Sequence, residues 1–238
     1  MSGSPYETQY DANGRRRFAA EVENFAKGRK TFTLLMIGTP DCKELIDLSE
    51  ENRKKIDLLV FDFEINHNAI SDDFKESFNS CEVYAGNFFT NIHLALPALF
   101  KSDVVFHRWF LHHCTTEQKK ISFEIIEKLL SDDGVLLMID WFIPDYSDWD
   151  EKWSSTLEYY TYQKELDLAP SESKWRINFD AAETPNGRGG KFTSTKKIEL
   201  LLQETGFTYK KHVLCKDLVE NPELLGQNMY ICRKGQND

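Results

Sequence analysis

The sequence predicts an α/β fold, a doubly wound and mostly parallel sheet with helices on both faces, and three observations carry that prediction. The runs "TFTLLMIG", "IDLLVFDF" and "VLLMIDWF" are short, apolar almost throughout and rich in strand formers, as strands buried on both faces are. Segments of helical period separate them, which implies crossover connections and parallel pairing. Strands and helices alternate along all 238 residues, a length that suits one domain over 1–238 with one substantial core.

Residues 15–28, "RRRFAAEVENFAKG", read as a helix within an N-terminal helical segment of 1–30. Phe18, Val22 and Phe25 share one face, and Gly28 is the stop. Arg15-Arg16-Arg17 reads as a solvated helix start, with a phosphate contact as the lesser alternative. Residues 31–38 form the first strand, and 42–55 have helical spacing through Leu45 and Leu48. Residues 56–63 form the second strand, 69–78 a helix, and 81–89, "CEVYAGNFF", a third strand ending at a turn. "IHLALPALF", 92–100, is a short apolar helix interrupted by Pro97.

"SDVVFHRWFLHH", 102–113, opens as the fourth strand. Residues 115–134 are the clearest helix, with Thr in the N-cap region, Ile121, Ile125 and Leu129 in register, and Gly134 after the end. Residues 135–142 form the fifth strand. The stretch 143–191 is a lid-like insertion, holding the polar and aromatic helix "DYSDWDEKWSSTLEYYTYQKELDL" and ending in "NGRGGK". Long excursions at strand ends usually carry function. "STKKIELLLQETGF" is a late helix, and the strands "TYKKHVLC" and "NMYICRKG" follow it. No helix of clear period joins those two, so one of them runs antiparallel at an edge.

Composition narrows the partners. A net charge of −10 argues against broad binding to nucleic acid or anionic membranes, which reward clustered Lys and Arg. The five cysteines are odd in number, widely spaced and never in a CxxC, which fits reduced thiols in a cytoplasmic protein. The N-terminus lacks the apolar core of a signal peptide, and no apolar run approaches the roughly eighteen residues of a membrane span. The partner these features leave is a small molecule.

Ligands of such sheets bind outside the carboxyl ends of the strands, at the point where strand order reverses. The residues there are Gly38, Asp62 with Glu64 close behind, Gly86-Asn87-Phe88, Phe106-His107-Arg108-Trp109, and Asp140-Trp141. A carboxylate ending the second strand suits a ribose diol, and Asn with a following aromatic suits an adenine. His107 is the candidate catalytic base, although a strand-end histidine is more often hydrogen-bonded in place. Tyr10, Asp140, Trp141 and Trp153 are the candidate substrate contacts. Trp149, Trp153, Tyr159, Tyr160 and Tyr162 either line a pocket or pack a lid helix onto the domain. His112-His113 lacks an accompanying ligand set and its members face different ways, so no metal is expected.

"SDVVFHRWFLHH", "IIEKLLSDDGVLLMIDWF" and "STKKIELLLQETGF", in this order, resemble class I S-adenosylmethionine-dependent methyltransferases. The resemblance covers roughly residues 31–142 and 192–235. It implies a Rossmann-like seven-stranded sheet of order 3-2-1-4-5-7-6 with the seventh strand antiparallel, S-adenosylmethionine as cofactor, and methyl transfer to a small-molecule acceptor, aromatic ones among the candidates. The alternatives are a protein of this fold that binds without transferring, and a same-fold enzyme running another reaction. Carried over, Asp62 holds the ribose hydroxyls, Asn87 accepts from the adenine amino group, Phe88 lies against the adenine, and Phe106 and His107 stand near the methionine portion. The family's loop is an acid, one residue, then G-x-G-x-G. Here Met36 replaces the acid, and of the glycines Gly38 alone remains, with Pro40 and Cys42 in the other two places. That departure is expected to weaken the methionine end of the cofactor more than its adenosine end.

Overall fold

The computed structural model describes residues 5–39, 42–62, 70–97, 99–166, 181 and 192–235, and for 5–11 and 225 the backbone alone. Its seven strands are β1 (Phe32–Ile37), β2 (Ile56–Asp62), β3 (Ser80–Ala85), β4 (Ser102–Arg108), β5 (Leu130–Trp141), β6 (Phe207–Val213) and β7 (Gln227–Lys234). They form one sheet in the order β3-β2-β1-β4-β5-β7-β6. β7 runs antiparallel to both β5 and β6, and the other pairs are parallel. This is the topology that the resemblance implies, and the order reverses between β1 and β4. The antiparallel strand, expected at an edge from the missing crossover helix, is β7, which lies inside the sheet with β6 at the edge.

The helices are α1 (Pro5–Ala26), α2 (Glu50–Arg53), α3 (Asp72–Glu76), α4 (Phe88–Ala95), α5 (Thr116–Leu129), α6 (Trp149–Glu165), α7 (Thr195–Glu204) and α8 (Pro222–Leu225). α1 covers one face of the sheet. Phe18, Val22 and Ala26 are buried in one cluster with Leu34, Met36, Leu58, Val104 and Phe106. The ring centroids of Phe18 and Phe106 lie 4.2 Å apart. Alternate strand residues point the other way: Leu35, Ile37, Val105, Leu136 and Met138 meet Ile92 of α4, Phe123 and Ile126 of α5, and Ile198 and Leu202 of α7. Burying each such side chain contributes roughly 1.5–3 kcal/mol.

Several local expectations are corrected. Residues 42–55 are not one helix: a 3₁₀ turn (Lys43–Asp47) gives way to α2, because Ser49 takes an extended conformation and caps a new helix by accepting from the Asn52 N–H. The third strand ends at Ala85, and Asn87 starts α4 by accepting from the Phe89 N–H, so Phe88 begins a helix rather than ending a strand. α4 ends at Ala95, two residues before Pro97, which ends the helix rather than interrupting it. α5 carries the expected Thr115 cap, completed to a capping box by Gln118, but Gly134 lies inside β5, which starts directly after the helix. The arginine triplet falls in the middle of α1, where Arg15 reaches Asp47 and Arg17 pairs with Glu21. Of the insertion at 143–191, residues 143–166, which include α6, and Ala181 are described, and "NGRGGK" lies outside the described residues. Among the described residues, no helix is long and apolar enough to cross a membrane.

The turn before β7 has a strict requirement. Gly226 adopts φ +68°, and a Cβ there would lie 1.7 Å from the Phe142 carbonyl oxygen, where the Phe142 N–H also donates to the Gly226 carbonyl at 3.0 Å. Gly226→Ala is expected to cost at least about 3 kcal/mol, combining left-handed strain with a clash that neither backbone can relieve alone. The midpoint of urea unfolding measures it.

Candidate active site at the carboxyl ends of the strands

Strand order reverses between β1 and β4, with Ile37 opposite His107, and sheets of this kind place their ligand crevice beyond the carboxyl ends of such a pair. β1 leaves through Gly38 at φ +69°, a left-handed turn that glycine adopts without penalty. A Cβ on Gly38 would come 3.3 Å from the Phe110 Cβ, so the single remaining glycine of the loop also permits close packing against the segment after β4. Cys42 follows at φ +48°, its N–H and thiol both directed to the Thr39 carbonyl. The turn then places Glu44 against Arg108, the last residue of β4, with 2.7 Å between Oε1 and Nη1. Both side chains of this pair are buried.

Next to Arg108, Trp109 adopts φ +55°, which is strained for a bulky side chain. The Arg108 guanidinium carbon lies 3.8 Å from the Trp109 ring centroid. Trp109 in turn stacks on Trp141 at 6.3 Å, and Trp141 meets the edge of Tyr159 on α6. Guanidinium and rings therefore form a continuous stack from the β1 turn to the insertion. Tyr159 and Tyr160 pack with Phe192, Tyr146 and Ile143, and Trp153 lies against that cluster.

Asp140 organises the neighbouring strand end. Its Oδ2 accepts from the Leu111 N–H and its Oδ1 from the Trp141 N–H, each at 2.8 Å. Oδ1 also lies 2.8 Å from His112 Nδ1. Burial pushes the Asp140 carboxyl up, but the charge and hydrogen bond of His112, with His107 and the Trp141 N–H behind them, outweigh it and hold the carboxyl below the usual range. His112 is partly open to solvent, stands 4.0 Å from His113 between ring centroids, and approaches Phe192. Among the described residues no group of three His, Cys, Asp or Glu side chains is placed to hold a metal.

Not every residue picked from the sequence reaches this crevice. Asp62 ends β2 and is half-buried, beside the β3 end where Asn87 is exposed. The Asn87 side-chain oxygen already accepts from Phe89, so a ligand would meet its amide donors or its second lone pair. Phe88 points inward, edge-on to Phe61 and Phe110, and packs the core rather than lying open for an adenine. Phe106 is fully buried under α1, on the opposite side of β4 from His107, and is out of a cofactor's reach. Asp140 has both oxygens engaged, which makes it a positioning group and not a substrate contact. Trp141 and Trp153 do belong to the aromatic wall. Tyr10 lies in α1 with its side chain outside the described residues, as Glu64, Pro40 and Asp41 are entirely.

His107 changes role. It is fully buried, neither ring nitrogen has a hydrogen-bond partner among the described residues, and burial lowers its pKa to about 4, against a small opposing pull from Asp140. A neutral imidazole sealed in this way reaches no acceptor and is not the base. Four functional candidates escaped the sequence reading of roles: Glu44, Arg108, Trp109 and His112. Their signal lies in pairings across the fold and in backbone conformation, neither of which has a local pattern.

No protein-family model and no curated protein matches the chain. Solved structures do match. An O-methyltransferase family protein from Burkholderia thailandensis is 12% identical, with a TM-score of 0.57 over 96% of this chain and 59% of its own. Human N-acetylserotonin methyltransferase, solved with S-adenosylmethionine, is 15% identical, with a TM-score of 0.52 over 94% and 52%. The cyclopropane synthase of Mycobacterium tuberculosis is 13% identical, with a TM-score of 0.54 over 90% and 83%. The chain thus spans between half and three fifths of the first two proteins. At these identities the likeness establishes the fold alone, a seven-stranded Rossmann-like fold that this chain shares with solved methyltransferases.

A buried neutral histidine makes stability depend on pH. The folded value of His107 lies below the unfolded 6.5, so the unfolded chain binds the extra proton between about pH 6.5 and 4. Stability is complete above 6.5 and falls as pH drops through that window, by up to about 3 kcal/mol from this group. His107→Leu is expected to fold within about 1 kcal/mol of wild type at pH 7, since it removes two unpaired nitrogens, and to lose less stability at pH 4.5. Denaturant unfolding of both proteins at the two pH values measures the difference.

Proposed function

We propose that the chain binds S-adenosylmethionine at the β1–β4 crevice and transfers its methyl group to a hydroxyl of a small, flat acceptor lying along the aromatic wall. The observation that carries this reading is the His112–Asp140 pair at the crevice edge, next to Trp141, Tyr159 and Phe192. The crevice fits a polar ligand: Thr39 Oγ1, Glu44 Oε2 and Trp109 Nε1 are buried there without hydrogen-bond partners among the described residues, and a ligand would supply them. Asp62 is placed for the ribose and the left-handed turn at Gly38 brings backbone close. The neighbouring structures named above support the same cofactor, one of them containing it.

When bound, the cofactor supplies an electrophilic methyl on a sulfonium, and the protein's task is to align an acceptor and remove its proton. Asp140 bonds His112 Nδ1, which fixes the ring and leaves Nε2 as the atom that takes the acceptor's hydroxyl proton. The Asp140 carboxylate then stabilises the imidazolium, as a base is stabilised by its orienting group. Trp109, Trp141 and Tyr159 offer faces and edges to a planar acceptor and exclude water from the reacting centre. A second reading is that the protein binds without transferring. Met36 favours it, since its side chain lies fully buried in the core and puts no charge at the crevice.

Calorimetric titration with S-adenosylmethionine and S-adenosylhomocysteine separates the readings. Micromolar binding of both, with methyl transfer to at least one member of a panel of phenols and hydroxy acids, supports the first; binding with no transfer to any acceptor supports the second; binding of neither removes both. Asp62→Ala is expected to weaken either ligand about ten- to a hundredfold, the loss of roughly 1.5–3 kcal/mol in charge-assisted hydrogen bonds. His112→Ala is expected to leave those affinities within about twofold while lowering turnover by about 10²–10⁴. Loss of the base should also remove the acidic limb of the pH–rate profile.

A further inference from the structure

The Glu44–Arg108 pair is buried at the crevice and left incomplete. Glu44 Oε1 accepts from Arg108 Nη1 at 2.7 Å, while Oε2 is buried with no hydrogen-bond partner among the described residues. Thr39, whose carbonyl accepts from Cys42 in the same turn, is in the same situation: it is 4% exposed and its hydroxyl is unpartnered. A buried ion pair serves stability when its remaining lone pairs are satisfied, and this one keeps a carboxylate oxygen unused. Met36, one strand position before the end of β1, is fully buried under α1 and offers no charge in compensation.

We infer that Glu44, held by Arg108, and Thr39, in the turn that precedes it, recognise the α-amino-acid end of the ligand, resting on the cofactor reading above. The ammonium donates to Glu44 Oε2 and Thr39 Oγ1, and the carboxylate lies toward the positive charge of Arg108. A Glu–Arg pair is the charge complement of a zwitterion, so a neutral but strongly dipolar group enters without leaving net charge buried. The stack of Arg108 on Trp109 keeps the pair from turning away.

The test compares S-adenosylhomocysteine with 5′-methylthioadenosine, which keeps the adenosine and thioether and lacks the amino acid. Glu44→Gln should weaken S-adenosylhomocysteine about ten- to a hundredfold and methylthioadenosine less than about twofold. Thr39→Val breaks none of the hydrogen bonds described above and so guards against a folding defect in the first variant; it should weaken S-adenosylhomocysteine about three- to tenfold with methylthioadenosine unchanged. Thermal unfolding of each variant establishes that it is folded. If the ratio of the two dissociation constants stays at its wild-type value in Thr39→Val and in any folded Glu44→Gln, the inference is overturned while the cofactor reading stands. Binding of neither ligand by the wild-type protein overturns both.

Discussion

Asp140 ends its strand fully buried, and a carboxylate there is tolerable because three donors reach it: two backbone N–H groups and one imidazole. Unpaired, such a charge would cost several kcal/mol, so the chain after β4 is held to the one path that delivers the Leu111 N–H and His112 to it. That path includes the 3₁₀ turn over Leu111–His113 and sets where α5 begins, since Thr115 caps the helix immediately afterwards. A single carboxylate thereby fixes the exit of one strand, the end of the next, and the orientation of the His112 ring. His107 shows the converse: buried with no hydrogen-bond partner among the described residues, it stays neutral.

The crevice gathers the unusual backbone of the chain. The non-glycine residues with left-handed φ among the described ones are Cys42 and Trp109, and both flank the Glu44–Arg108 pair. Strain of this kind persists when surrounding contacts over-determine it. Here they do, through the buried ion pair, the guanidinium stacked on indole, and the indole stacked on Trp141. Rigid charge and aromatic surface are thus assembled before any ligand arrives, which reduces the ordering cost of binding.

The loop after β1 departs in a coherent way from the pattern of the methyltransferases that the sequence resembles. With Met36 in place of an acid, the end of β1 packs as core, and Phe18 of α1 closes over Phe106 in the same cluster. The charge at this end of the sheet is supplied instead by Glu44 and Arg108, on the next turn and the next strand. Gly38 keeps the left-handed turn, and the close approach of Phe110 depends on that residue.

What the sequence by itself determined was the order of strands and helices along the chain, an antiparallel pairing among the last two strands, and the strand ends at which Gly38, Asp62 and Asp140 stand. These follow from local causes: apolar runs, caps such as Thr115, and the two-residue alternation of a strand. The tertiary structure decided the roles. Phe106 and His107 are neighbours in sequence, yet one faces α1 and the other the opposite core, and neither opens to the crevice. Asn87 looked like the end of a strand and proved to be a helix cap, because its side chain finds the Phe89 N–H two residues on. Glu44 and Arg108 are 64 positions apart and His112 and Asp140 are 28 apart. They meet because β1, β4 and β5 lie side by side in the sheet, a contact that no local periodicity encodes.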